Sequence, residues 1–208
     1  MRLLPGILAM AAVVVASNIL VQFLLGQWLT WGAFTYPFAF LVTDLTNRLH
    51  GPAAARRVVL AGFAVGVLCS FVGTQIEGPV GPLVTWRVAL GSGLAFLTAQ
   101  LLDVAVFHRL RGGRWWRAPL ISTLIGSSVD TLLFFGIAFS AALTWLEPGN
   151  DVAWANEALP LLGIGPAVPL WASLALADWG VKLALALIAL VPFRLIVAYR
   201  AGASAQTR

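Results

Sequence analysis

VALGSGLAFLTAQLLDVAVF, residues 88–107, is the stretch on which the fold turns. About 20 apolar residues are needed to cross the hydrocarbon core of a bilayer, and a crossing segment of this kind must be helical, because only a helix satisfies its backbone groups within itself. Yet the stretch carries Gln100 and Asp103, three residues apart and so on one helical face. An ionised carboxylate at the centre of such a helix costs roughly 2.5–3.5 kcal/mol even on the lenient insertion scale, so it faces a protein interior and marks a route for a solute or an ion.

Similar windows run over 3–25, 28–49, 58–76, 119–145 and 168–193. Composition agrees with them: 60% of the 208 residues are hydrophobic, 10% are charged, and the mean hydropathy is +0.91. A soluble core does not reach such values. The expectation is an all-α integral membrane protein, a six-transmembrane-helix bundle forming a single domain over residues 1–208. The first window follows Arg2 as a signal peptide would, but it is longer than a signal core and no cleavage site leads into a polar domain, so it is expected to stay attached. Cys69 is the one cysteine and excludes an intrachain disulfide.

The basic residues fix an expected orientation. Arg48, Arg56 and Arg57 fall between the second and third windows, Arg109, Arg111, Arg114 and Arg117 between the fourth and fifth, and Arg194, Arg200 and Arg208 at the tail, with Arg2 at the start. Six crossings put all of these on one side. The other side holds Glu77, Glu147, Asp151 and Glu157 against Arg87 alone. By the positive-inside rule both termini are cytoplasmic. The net charge of +5 then reports topology and contact with anionic lipid, and nucleic-acid binding is not expected. The loop from Glu147 to Ala167 reads as an interfacial loop anchored by Trp145 and Trp154, with a cover over an entrance as the alternative. Gly62, Gly66, Cys69, Ser70 and Gly73 form a small-residue face that lets a neighbouring helix approach closely.

Polar pairs recur inside the windows. Asp44 with Asn47, Gln100 with Asp103, and Ser127 with Asp130 each share a face. Thr123 and Thr131 extend the last of these, and Asn18 with Gln22 could join them from the first window. Asp178 and Lys182 stand four apart and most simply pair with each other, as a structural ion pair or a coupling site. Asp44 and Asp103 lie towards the cytoplasmic ends of their windows, within reach of the interface or of loop arginines. Four carboxylates against one lysine leave an excess of negative charge that low dielectric opposes. Protonation, a coupling cation or ligand N–H groups would each relieve it.

The run Thr35-Tyr-Pro-Phe-Ala-Phe-Leu-Val-Thr-Asp-Leu-Thr-Asn47 with Gly51, then Arg87-Val-Ala-Leu-Gly-Ser92 leading to Ala95-Phe96 and Gln100-Leu-Leu-Asp103, and finally Ser122-Thr123 with Asp130-Thr131 and Phe134, closely resembles the queuosine precursor transporter family, also called the putative vitamin uptake transporters. The resemblance spans the second to fifth windows, and Lys182 with Pro192 fits the last more loosely. It implies a six-helix protein of the bacterial inner membrane that imports 7-deazaguanine precursors of queuosine, typically 7-cyano-7-deazaguanine. Ser127 stands where the family pattern has glutamine, and Arg48 where an acidic residue is frequent. A guanine-like edge presents a ring N–H beside an amino group, which one carboxylate accepts as a pair. Asp130 or Asp103 is the candidate for that role; Gln100, Asn47 and Ser127 could serve the carbonyl and pyrrole groups, with Asp44 and Thr131 beside them, and Tyr36, Phe40 or Phe96 could stack on the ring.

An enzyme is not expected: His50 and His108 lie at window ends, and neither HExxH nor GxSxG occurs. No cofactor or metal is implied. A secondary carrier is the first reading. The runner-up is a substrate-binding membrane subunit serving a separate ATP-driven module, since the chain has no P-loop of its own. A purely structural membrane protein is the third. The sequence leaves oligomeric state open.

Overall fold

The computed structural model describes residues 3–78 and 81–206; Arg2 and Arg208 lie outside them. Among the described residues, seven α-helices follow in order: α1 (Leu4–Leu20), α2 (Gly32–Thr35), α3 (Phe38–His50), α4 (Pro52–Gly73), α5 (Trp86–Leu110), α6 (Arg117–Phe139) and α7 (Leu170–Gln206). The helices α4, α5, α6 and α7 are each long and apolar enough to cross a membrane. α1 is apolar throughout but has 17 residues, about 26 Å at the α-helical rise. The lipid-type surface is evident in exposed Leu4, Leu8, Leu68, Leu132, Leu187 and Val191, residues a water-soluble bundle would turn inward.

The windows expected at 3–25 and 28–49 are redrawn. Helix α1 stops at Leu20, because Gly26 takes a positive φ of 69° and turns the chain into a hairpin pairing Leu24–Leu25 with Leu29–Thr30. The second window then begins at Gly32 and is interrupted, since Pro37 has no N–H to continue the ladder. Tyr36 and Pro37 keep right-handed helical angles, and the ladder resumes through tighter bonds from Ala39 N to Tyr36 O and Phe40 N to Pro37 O. The fifth window also shortens: α6 ends at Phe139, and Ala141–Leu146 winds as a 3-10 turn. By contrast α7 runs on through Pro192.

Contacts sort the connections onto two ends of the bundle. At one end Gly6 meets Thr46 and Val58, the Arg48 guanidinium donates to Arg111 O at 2.9 Å, and Phe107, Ala118 and Phe193 pack together. This is the arginine end. Gly51, at φ 87°, turns α3 directly into α4 there, with Pro52 opening the new helix. At the other, hairpin end, Glu77–Gly78 pairs with Gly81–Pro82, and Ala158–Pro160 pairs with Ala167–Pro169.

α3 touches α1, α4, α5, α6 and α7. Its neighbours approach closely where side chains vanish: a Cβ on Gly62 would sit 2.4 Å from Met10 Cγ, so the small-residue face of α4 receives α1. The apolar core gathers Met10, Val14, Ala39, Val58, Val59, Phe96 and Val104.

α5 and α6 lock one another at the hairpin end. The Arg87 side chain donates from Nε to Ile137 O at 3.1 Å and from Nη2 to Ser140 O at 2.7 Å, capping the carbonyls that end α6. In return Glu147, just beyond α6, accepts from the Trp86 and Arg87 backbone N–H groups at 3.2 and 3.0 Å, capping the start of α5. Arg87 is 1% exposed, which explains an arginine on the otherwise acidic side. Arg87→Met is expected to destabilise by about 1.5–3 kcal/mol per charge-assisted bond lost, seen as a lower midpoint of thermal unfolding in detergent. Arg87→Lys should recover only part of it, since an ammonium cannot fork between the two carbonyls.

Candidate functional site

Two polar clusters occupy the interior, and α6 contributes to both. The first surrounds Lys182 of α7. Its Nζ reaches Asp130 Oδ2 at 2.7 Å, Asp178 Oδ2 at 2.5 Å and Thr131 Oγ1 at 2.9 Å. The Tyr36 hydroxyl, set at the α2–α3 break, donates to Asp130 Oδ1 at 2.7 Å, and Thr131 Oγ1 donates to Asp178 Oδ2 at 3.1 Å. Lys182 Nζ also stands 5.3 Å above the Tyr36 ring. Lys182 and Asp130 are each 3% exposed.

The second cluster lies about one to two helical turns nearer the arginine end, with Asp103 at the level of Gly126 and Asp44 at the level of Ser122 and Thr123. There Gly126, four residues before Asp130, brings α6 onto α5: a Cβ at this position would meet Asp103 Cβ at 3.5 Å and Phe40 at 2.8 Å. Asp44 of α3 accepts from Ser122 Oγ and Thr123 Oγ1, each at 3.3 Å. Thr43 Oγ1 donates to Gln100 Oε1 at 2.5 Å, and Asn47 Nδ2 donates to Val104 O at 3.0 Å. Asp103 faces the Asp44 carboxyl and Ser122, but neither of its oxygens has a donor in hydrogen-bond geometry. Gln100 Nε2 and Asn47 Oδ1 are likewise buried and without partners. One side of each amide is thus tied to the protein and the other is left over. Such atoms are costly in an apolar interior, about 1–3 kcal/mol each, and in a native protein they call for an explanation.

Two crevices flank this polar column. One, towards the hairpin end, is lined by Asn18, Tyr36, Ser70, Ser92 and Phe96 among others and holds about 60 Å³. The other, between α3, α6 and α7, is lined by Phe40, Asp44, Thr123 and Phe193 among others and holds about 10 Å³. A buried water needs roughly 10–15 Å³, so these spaces suit waters and not a bicyclic base. Tyr36, Phe40 and Phe96 form the partition between them. Tyr36 meets Phe40 and Phe96 edge-on at centroid distances of 6.3 and 6.2 Å.

The sequence-derived residues divide accordingly. Asp44, Asn47, Gln100 and Asp103 come together on α3 and α5; Asp130, Thr131, Asp178 and Lys182 come together on α6 and α7, with Tyr36 joining them. Asp178 and Lys182 do pair, but Asp130 shares the ammonium. Ser127 is buried between the clusters and donates to Leu124 O at 3.2 Å, its own helix. Asp44 and Asp103, at 2% and 0% exposure, do not pair with loop arginines; Arg48 bonds backbone instead. Asn18 turns its amide to Val14 O. Thr43 and Ser122 stand in the stretches that carry the resemblance but not among the candidate ligands, because a hydroxyl in an apolar helix usually bonds its own backbone. Thr43 lies four residues before Asn47 on the same face, which was the available signal.

The ammonium at the centre of the first cluster sets its stability. Lys182→Met leaves two buried carboxylates facing each other and should cost about 3–5 kcal/mol, while Asp130→Asn keeps a balanced Lys182–Asp178 pair and should cost less. Thermal unfolding of both purified variants checks this order. Adding Asp130→Asn to Lys182→Met should recover part of the loss.

The family model for putative vitamin uptake transporters matches residues 30–197. The chain is 37% identical over 195 residues to the queuosine precursor transporter of Escherichia coli, covering 86% of this chain and 79% of that one. It is 30% identical over 185 residues to a probable queuosine precursor transporter of Bacillus subtilis, covering 80% and 71%. A third relative, a probable queuosine precursor transporter of Haemophilus influenzae, is 40% identical over 121 residues, covering 53% and 52%. No solved structure matches. The matched region runs from the first hairpin through α2 to most of α7 and contains every polar residue of both clusters, so this chain, a multi-pass helical membrane protein, belongs to the putative vitamin uptake transporter family.

Proposed function

We propose that this protein is a secondary carrier that imports a 7-deazaguanine precursor of queuosine, 7-cyano-7-deazaguanine or a close relative, across a bacterial inner membrane. The names borne by its relatives support the substrate class. In this reading the chain is one transmembrane domain with six crossings, α1 and the α2–α3 path being the two beyond the four long helices. The arginine end, with Arg48, Arg56, Arg57, Arg111 and Arg114, is cytoplasmic, as are both termini.

One observation carries the ligand assignment: the atoms left without partners at the second cluster are complementary to a guanine-like base. The oxygens of Asp103 receive no donor in hydrogen-bond geometry and face only the Asp44 carboxyl and Ser122, so they offer acceptors suited to a ring N–H and its neighbouring amino group. Gln100 Nε2 is a free donor for the adjoining carbonyl, and Asn47 Oδ1 a free acceptor for the pyrrole N–H. Thr43 holds Gln100 in the orientation that leaves its amino group free, and Val104 O does the same for the carbonyl of Asn47. Tyr36 and Phe96 supply flat apolar surface above the site. Asp44, already held by Ser122 and Thr123, and Ser127 complete the wall. Asp130 and Thr131, whose polar atoms are committed to Lys182, Tyr36 and Asp178, enter as neighbours and not as the base-reading pair. Because the crevices are small, the base enters only when the aromatic partition opens, which is the behaviour of a carrier rather than a pore.

Purified protein in liposomes should take up labelled 7-cyano-7-deazaguanine with saturation and without any ATP-driven module. Asp103→Asn, which turns one acceptor into a donor, should weaken binding roughly 5- to 150-fold, the equivalent of about 1–3 kcal/mol for a bidentate pair. Uptake that appears only with an added ATPase would overturn the carrier assignment, and equal binding by Asp103→Asn would overturn the site.

A further inference from the structure

The Lys182 cluster differs from the Asp103 site in having almost nothing to spare. Lys182 spends its three protons on Asp130 Oδ2, Asp178 Oδ2 and Thr131 Oγ1. Asp130 Oδ1 takes the Tyr36 hydroxyl, and the Thr131 proton goes to Asp178 Oδ2. A hydrogen-bonding base could bind here only by dismantling the network. The charges nevertheless do not balance. Two carboxylates around one ammonium leave a unit of negative charge in the apolar interior, and removing it needs something small and positive.

Among the described residues the partners of Asp178 are all at Oδ2, which leaves Oδ1 as the uncommitted atom of the cluster. Its side chain keeps 16% of its accessibility, against 5% for Asp130 and 4% for Lys182. Asp178 lies eight residues into α7, about 12 Å from the hairpin end. On that side, too, the larger crevice brings water-sized space as far as Tyr36. The ionisable groups facing the carboxylate are Lys182 on its own helix, Asp130 from α6 and Tyr36 from the α2–α3 break. Asp103 of α5 lies about one turn further away and Asp44 of α3 about two, and they face one another.

We propose that Asp178 is the proton-coupling residue of this carrier, accepting a proton at Oδ1 from the hairpin side and releasing it towards the arginine end, with Tyr36 relaying its state to the base-binding site. The assignment rests on the carrier reading above and deepens it. When the proton arrives, the cluster passes from one net negative charge to none: Asp178 becomes a neutral acid, and Lys182 with Asp130 remains a balanced pair. Lys182 then has Asp130 as its one charged partner, which alters the carboxylate to which Tyr36 donates. The Tyr36 ring borders the partition with Phe40 and Phe96, so the change reaches the aromatic gate directly. When the proton departs, the shared arrangement returns.

The test is made in proteoliposomes holding wild-type protein or Asp178→Asn, with a pH-sensing dye inside. Two quantities are read with 7-cyano-7-deazaguanine: uptake driven by an inward proton gradient, and exchange of labelled for unlabelled base at equal pH. Wild type should show base-dependent acidification of the lumen and accumulation that collapses when the gradient is discharged. Asp178→Asn, which carries a permanently neutral group, should keep exchange within about twofold while losing accumulation and base-dependent acidification. Accumulation driven by sodium with no proton movement in wild type overturns the proposal, and so does proton-coupled accumulation by Asp178→Asn. A variant that unfolds at the wild-type temperature yet loses exchange also overturns it, because the residue would then serve translocation itself. Absence of exchange in wild type would remove the carrier reading, and the coupling assignment with it.

Discussion

Charge in a medium that cannot solvate it is the constraint from which the interior of this protein follows. Lys182 is buried to 3% exposure in a helix whose outer surface is leucine, isoleucine and valine. An ammonium there must find acceptors on its neighbours. It finds one on its own helix, at Asp178, and two on α6, at Asp130 and Thr131. That choice fixes the rotation of α7 against α6. Lipid offers no hydrophobic drive for one helix to pack on another, so the polar contacts and close approaches at Gly62 and Gly126 decide which faces meet.

The second determinant is Pro37. Because it interrupts the ladder between α2 and α3, Tyr36 is carried at a break in the path and not on an unbroken cylinder. A helix interrupted beside a polar site is where membrane carriers commonly hold their solutes. Here the break places a hydroxyl on the Lys182 cluster and an aromatic face on the crevice above Gln100. A single side chain therefore touches both the charged cluster and the space beside the unpartnered atoms.

Much of this was legible in the sequence, and the failures have physical causes. The apolar windows, the shared faces of Gln100 with Asp103 and Asp44 with Asn47, and the pairing of Asp178 with Lys182 all follow from length and the 3.6-residue period. What period cannot give is partnership between helices. It did not tell that Asp130 would share Lys182 while Asp103 turned to Asp44, since both acids sit on similar faces of adjacent helices. It also could not divide 3–49 correctly: hydropathy counts apolar residues, and the turn at Gly26 and the break at Pro37 lie within an apolar run. From the sequence Arg87 reads as a lone charge on the acidic side and as the start of one stretch that carries the resemblance. Its role in capping α6 depends on a carbonyl fifty residues away, at Ile137.

The two clusters differ in a way that composition conceals. Around Lys182 almost every donor meets an acceptor, and what is left is charge; around Asp103 the atoms lack partners, and what is left is hydrogen-bonding capacity. A saturated network with surplus charge is complementary to a proton, whereas unsaturated amide and carboxylate groups are complementary to a neutral solute with donors and acceptors on one edge. Each cluster on its own would be an ordinary buried polar group with an energetic cost. Placed about one to two helical turns apart, with Tyr36 in contact with the first and packed on aromatics beside the second, they have the arrangement expected of the coupled carrier proposed above, in which each site takes a different occupant and one side chain touches both surroundings.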